Sequence, residues 1–207
     1  MQSEKLFKTT ANIFSWIFHP LLMPTFGILI LLFSESYISF MPGDVKKAIL
    51  LLVVFGTFIL PALLIPVFLL RGVIHQIQMD DRRERLFPMA ITTVFYILTL
   101  VLFIRIPVFQ LLHSFILGCL VSVIIGFIIS IRWKISTHMI GIGGLIAMII
   151  SFTIKMNVNL LGLLLLSLLI AGIAGSARLY LKAHDQSQVY AGFLTGFAVM
   201  SVVMAVW

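Results

Sequence analysis

The stretch that decides how this chain folds is Arg178-Leu-Tyr-Leu-Lys182-Ala-His184-Asp185-Gln186-Ser187-Gln188, because the sequence on either side of it is almost wholly apolar, over roughly 158–177 and 188–207. Each flank is close to the ~20 residues a helix needs to cross a hydrocarbon core. A knot of charge between two such runs is a loop at a membrane edge, and ionisable groups at that depth mark a site by default. Arg178 and His184 are six residues apart, nearly two turns on a helix. At that spacing a guanidinium and an imidazole can share one anion.

Working outward, the same pattern recurs along the chain. Apolar segments fall at roughly 13–39, 46–71, 88–105, 108–131, 139–155, 158–177 and 188–207. With 61% hydrophobic and 10% charged residues and a mean hydropathy of +1.19 over 207 residues, the composition lies outside the soluble range. The expected fold is all-α, a polytopic membrane helical bundle of six to seven transmembrane segments, forming one membrane-embedded domain over 1–207. The count turns on Arg105-Ile106-Pro107, which interrupts an otherwise continuous run. Pro107 disfavours helix at the residue before it, and Arg105 can snorkel to an interface.

Two earlier loops carry related chemistry: Asp80-Asp81-Arg82-Arg83-Glu84-Arg85 with Pro88 beyond it, and Lys134-Ile135-Ser136-Thr137-His138 ahead of Gly141, Gly143 and Gly144. With seven spans an even number of crossings separates the three polar stretches, so all face one side. Merging the third and fourth segments would strand the first stretch opposite the others. Ten lysines and arginines lie on the motif side, Lys5, Lys8, Arg71, Arg82, Arg83, Arg85, Arg132, Lys134, Arg178 and Lys182. Lys46, Lys47, Arg105 and Lys155 lie on the other. The positive-inside rule places the motif face in the cytoplasm, but arginines committed to an anion site are not free topogenic charges.

The net charge of +7 has no soluble basic domain to carry it, so nucleic acid is excluded as a partner and anionic lipid headgroups are expected. Cys119 is the single cysteine and lies in an apolar run, which rules out a disulfide framework. His19, His75 and His113 are not spaced as zinc ligands or as a facing haem pair, so no metal or cofactor is expected. His19-Pro20, Pro24, Pro61 and Pro66 read as helix kinks or first turns. Gly118, Gly126, Gly162 and Gly172 read as packing positions.

Taken in order, the arginine-rich stretch with its proline, the Ser136-x-His138 before glycines and the Arg178-x5-His184 resemble the three motifs of the type 2 phosphatidic acid phosphatase superfamily, over roughly residues 70–196. The resemblance implies a metal-independent lipid-phosphate phosphatase of a bacterial inner membrane, acting on a phosphomonoester or pyrophosphate through a phosphohistidine. It implies that His184 is the nucleophile and His138 the acid and base. It further implies that Arg178, Arg85, Arg82 and Arg83 cradle the phosphoryl oxygens with Ser136 and Thr137. Where the family has an Asp four residues after the nucleophilic His, this chain has Gln188, in an orienting role. Relatives of the family work mostly at the outer or periplasmic face, against the charge count. The same residues also suit a relative that binds an anionic lipid without turning it over, and buried charge in a bundle also suits a small transporter.

Overall fold

The computed structural model describes residues 2–75 and 82–206, without the side chains of residues 2, 3 and 82. Asp80, Asp81 and the side chain of Arg82 therefore lie outside the described residues. Nine α-helices follow one another with no strand among the described residues: α1 Gln2–Ile17, α2 Met23–Phe33, α3 Gly43–Val53, α4 Leu60–Leu70, α5 Arg82–Phe103, α6 Gln110–Arg132, α7 Thr137–Met156, α8 Leu161–Tyr180 and α9 Gln186–Val206. They make seven stretches long and apolar enough to cross a membrane, two of them composite: α1 with α2, and α3 with α4. The fold is an all-α polytopic bundle.

Each interruption has a local cause. Between α1 and α2 the chain passes through a 3₁₀ turn, Pro20–Leu22. Pro20 lacks the N–H that would continue the helix, and His19 Nδ1 accepts the Leu21 N–H at 3.3 Å in its place. Between α3 and α4 the ladder widens to a π-helical turn, Val54–Ile59. Pro61 two residues later would drive its ring into the carbonyl of Thr57 in a regular helix, and the wider turn relieves that clash. The expected break at Arg105-Ile106-Pro107 separates α5 from α6, and His113 Nε2 donates to the Phe103 carbonyl at 3.3 Å across it. α7 ends on Asn157 in the left-handed conformation (φ 53°), its N–H returning to the Thr153 carbonyl.

The bundle is organised on α6 and α7, the most buried helices, whose Phe115, Leu112, Ile149 and Phe152 form the centre of the core. α7 and α9 pack backbone against backbone. A Cβ on Gly196 would collide with the Ile140 carbonyl, one on Gly143 with the Phe193 carbonyl, and one on Gly192 would stand 2.6 Å from the Ser136 carbonyl. Only glycine permits this approach, as small residues do wherever membrane helices meet closely. Of the four glycines read from sequence as packing positions, Gly118 lies against Met200 and Gly126 against Ile140. Gly162 and Gly172 face open space instead, because α8 is a peripheral helix with most of its surface uncovered.

Candidate functional site

The tight α7–α9 contact brings the start of α7 beside the start of α9, so the second and third polar stretches meet. Ser136 N–H donates to the Gln188 carbonyl at 3.3 Å and joins them directly. The third stretch is not one helix, as a two-turn reading of Arg178 and His184 would require. α8 closes after Tyr180 in a Schellman turn: Lys182 N–H bonds to the Leu179 carbonyl at 2.9 Å and Ala183 N–H to the Arg178 carbonyl at 3.1 Å. Lys182 takes the left-handed position (φ 51°) that glycine usually fills. The chain thus folds back over Arg178 and delivers His184 to it through a turn, with the His184 N–H 3.4 Å from the Arg178 carbonyl.

His184 is buried, at 7% exposure. Its Nδ1–H is shared between two acceptors, Gln188 Oε1 at 2.9 Å and the Lys134 carbonyl at 3.3 Å. In a neutral imidazole that leaves Nε2 as the lone-pair nitrogen. Arg85 Nη1 lies 3.4 Å from it and donates toward it. Burial, then the charges of Arg85, Arg178 and Lys134, push the His184 pKa down to about 4, against the pull of the Gln188 bond. Gln188 is itself held in place: exposed Asp185 caps α9, its Oδ1 accepting from Gln188 N–H at 2.8 Å and from Ser187 Oγ at 2.5 Å. These two bonds, the Ser187 one foremost, hold the Asp185 carboxyl below its usual pKa.

His138, in the first turn of α7, donates Nε2–H to the Ser15 carbonyl at 3.1 Å, and Arg178 Nη1 donates to Ser15 Oγ at 3.4 Å. One residue of α1 therefore fixes two residues of the site. His138 lies close enough to Arg178 to feel its charge, and His19 and His184 are its other titratable neighbours. Because Nε2–H is committed to Ser15, the ring presents Nδ1 for proton exchange.

Arg85, Arg178, His138 and Thr137 are among the lining of a cavity of about 210 Å³ inside the bundle and, from the helix ends that carry them, form its polar end. That exceeds the ~150 Å³ that admits one benzene. The rest of the wall is mostly apolar, with Met23, Ile65, Met89, Phe115, Leu145 and Met200. His184 lies behind Arg85 rather than on the wall. Arg83 is exposed and off the cavity, and Ser136 is fully buried with an Oγ that meets no described partner, also off the cavity. The first stretch therefore contributes Arg85, which continues the cavity-facing row of α5 through Pro88, Met89 and Thr92. Its Glu84 Oε1 lies 2.7 Å from His75 Nδ1 and joins the start of α5 to His75.

Three contributors were not read from the sequence: Ser15, the Lys134 carbonyl and His19. His19 lines the cavity with its ring edge-on to His138, centroids 5.5 Å apart. The one legible signal was His-Pro in the middle of a span. No cluster of His, Cys, Asp and Glu suited to a metal occurs among the described residues. No protein-family profile matches the chain, and no curated protein or solved structure matches it significantly.

Proposed function

We propose that this membrane protein is a lipid-phosphate phosphatase working through a phosphohistidine, the reading to which the resemblance of its three polar stretches points. The observation that carries it is the state of His184. Its Nδ1–H is fixed by Gln188 and the Lys134 carbonyl, its Nε2 lone pair faces a guanidinium, and its low pKa keeps the ring neutral and nucleophilic near pH 7. A phosphoryl group at the polar end of the cavity draws Arg85 onto its own oxygens, which opens Nε2 to phosphorus, while Arg178 and Thr137 supply further donors.

Nε2 attacks phosphorus as the ester P–O bond breaks, and His138, which takes up a proton on Nδ1 as the phosphoryl group brings its negative charge beside it, gives that proton to the departing alkoxide. Water then attacks the phosphohistidine, losing a proton to Nδ1 of His138 and releasing phosphate and free His184. The apolar remainder of the cavity suits a lipid chain. Membership of the type 2 phosphatidic acid phosphatase superfamily, a bacterial inner-membrane location and the choice of lipid belong to this proposal. Gln188 favours a second reading, a binder of lipid phosphate that turns over slowly, because an amide orients the ring without compensating its positive charge.

The test is phosphate release by purified protein in detergent, with chelator present, from phosphatidate, phosphatidylglycerol phosphate and a polyprenyl pyrophosphate. Release abolished by His184→Ala is the expected result. Release unaffected by that substitution removes the phosphohistidine step. Lipid binding with no release in any variant selects the second reading.

A further inference from the structure

We infer that His19 is a third ligand-binding histidine, whose Nε2–H donates to an oxygen of the leaving group on the side of phosphorus opposite His184. The inference rests on the lipid-phosphate reading above and extends it to the class of lipid. It starts from the tautomer. His19 Nδ1 accepts the Leu21 N–H, so a neutral ring carries its proton on Nε2. His19 lines the cavity, and no described residue takes that proton.

The position is built rather than incidental. Pro20 ends α1, and the 3₁₀ turn that follows lies against α7 at Gly141, where a Cβ would stand 2.7 Å from Met23 Cγ and 3.6 Å from the Pro20 Cα. Gly141 is one helical turn beyond His138. The same close approach that seats the turn therefore sets the two rings edge to face.

The assignment of sides follows the neighbour each ring meets directly. His184 sits against Arg85, whereas His19 sits against His138, and Arg178 lies close to both histidines. In phosphoryl transfer the entering and departing groups are roughly in line across phosphorus. With His184 as the entering group, His19 and His138 share the departing side. His138 serves the scissile oxygen, and the second donor has a use only if the leaving group carries another oxygen nearby. A lipid pyrophosphate offers its inner phosphate, and a glycerolipid phosphate offers an ester carbonyl. An alkyl phosphate offers neither.

The blander account is that His19 only caps the turn. A cap needs an acceptor at Nδ1, which Asn supplies equally well, and it needs nothing at Nε2. Two substitutions separate the roles: His19→Asn keeps the cap and removes the distal N–H, while His19→Gln carries an N–H to the distal position and gives up the cap.

The experiment measures affinities of the full-length protein in detergent for farnesyl pyrophosphate, phosphatidate, dodecyl phosphate and orthovanadate, with thermal unfolding as a control. His19→Asn is expected to weaken farnesyl pyrophosphate or phosphatidate about tenfold, and whichever falls identifies the leaving group. It should leave dodecyl phosphate, orthovanadate and the unfolding temperature unchanged. His19→Gln should retain the discriminating affinity. If His19→Asn binds all four as the wild type does, or weakens all four alike, the inference is overturned while the oxyanion site stands. A wild type that binds none of the four overturns both.

Discussion

Gln188→Glu tests the centre of the site most directly. Gln188 Oε1 takes the Nδ1 proton of His184 at 2.9 Å, and glutamate has the same reach, so the substitution exchanges an amide for a carboxylate at nearly constant geometry. A unit charge about 4 Å from the ring at an effective dielectric of about 20 interacts by about 4 kcal/mol. Opposite charges at such distances raise a histidine pKa by about 1–3 pH units. From its present value of about 4, His184 is expected to rise to between roughly 5 and 7. On the proposed mechanism the acid limb of kcat/KM, which follows the attacking group of the unliganded protein, should therefore lie near pH 4 in the wild type and one to three pH units higher in Gln188→Glu. Above the limb, turnover should increase about ten- to a hundredfold, or about 1.4–2.7 kcal/mol. The gain stops there because the Lys134 carbonyl already secures the tautomer and only charge support is added. The assay is phosphate release in detergent between pH 3.5 and 9. An acid limb that does not move between the two proteins would refute the assignment of His184 as the group that attacks.

Stability should carry the same signature. The folded His184 pKa of about 4 lies below its ordinary 6.5, so between those values the unfolded chain binds the extra proton. Unfolding free energy should then fall as pH drops from 6.5 to 4, by at most about 3 kcal/mol, and level off below. Thermal unfolding across that range, with the slope absent in His184→Gln, checks it. Gly196→Val places a side chain where the Ile140 carbonyl lies, so α7 and α9 must separate. A loss of about 1–3 kcal/mol is expected, together with loss of oxyanion binding, and an unfolding temperature equal to the wild type would contradict the backbone contact. Arg178→Ala should weaken orthovanadate binding at least about tenfold, measured by calorimetry. Ser15→Ala, which removes the Arg178 partner but keeps the carbonyl that accepts from His138, should change that affinity only about two- to threefold.

Much of the architecture was legible because hydrophobic length and parity are properties of the chain itself. Arg105-Ile106-Pro107 splits two spans as its chemistry requires, and the seven segments follow within a few residues at most ends. The first does not: its helix begins well before residue 13, since α1 packs along α8 through Phe7 and Tyr180. The placing of Arg178 and His184 on one helix failed for a related reason. The sequence offers no glycine to announce a turn, and Lys182 takes the left-handed position because the polar loop bonds there compensate its cost.

The sequence by itself determined an all-α bundle of six to seven apolar stretches of membrane-spanning length, and that with seven the three polar stretches between them share one side, because burying backbone in hydrocarbon demands helices and each crossing reverses direction. Only the tertiary structure decided which polar groups touch. The acceptors that fix the tautomers of His184 and His138 are backbone carbonyls of Lys134 and Ser15, and a carbonyl leaves no mark in a residue pattern. His19 reaches His138 because Gly141 lets a 3₁₀ turn close on α7, and Gln188 reaches Ser136 because Gly192 and Gly196 bring α9 against α7. Those are distances between elements far apart in the chain. They are set by which side chains are missing as much as by which are present.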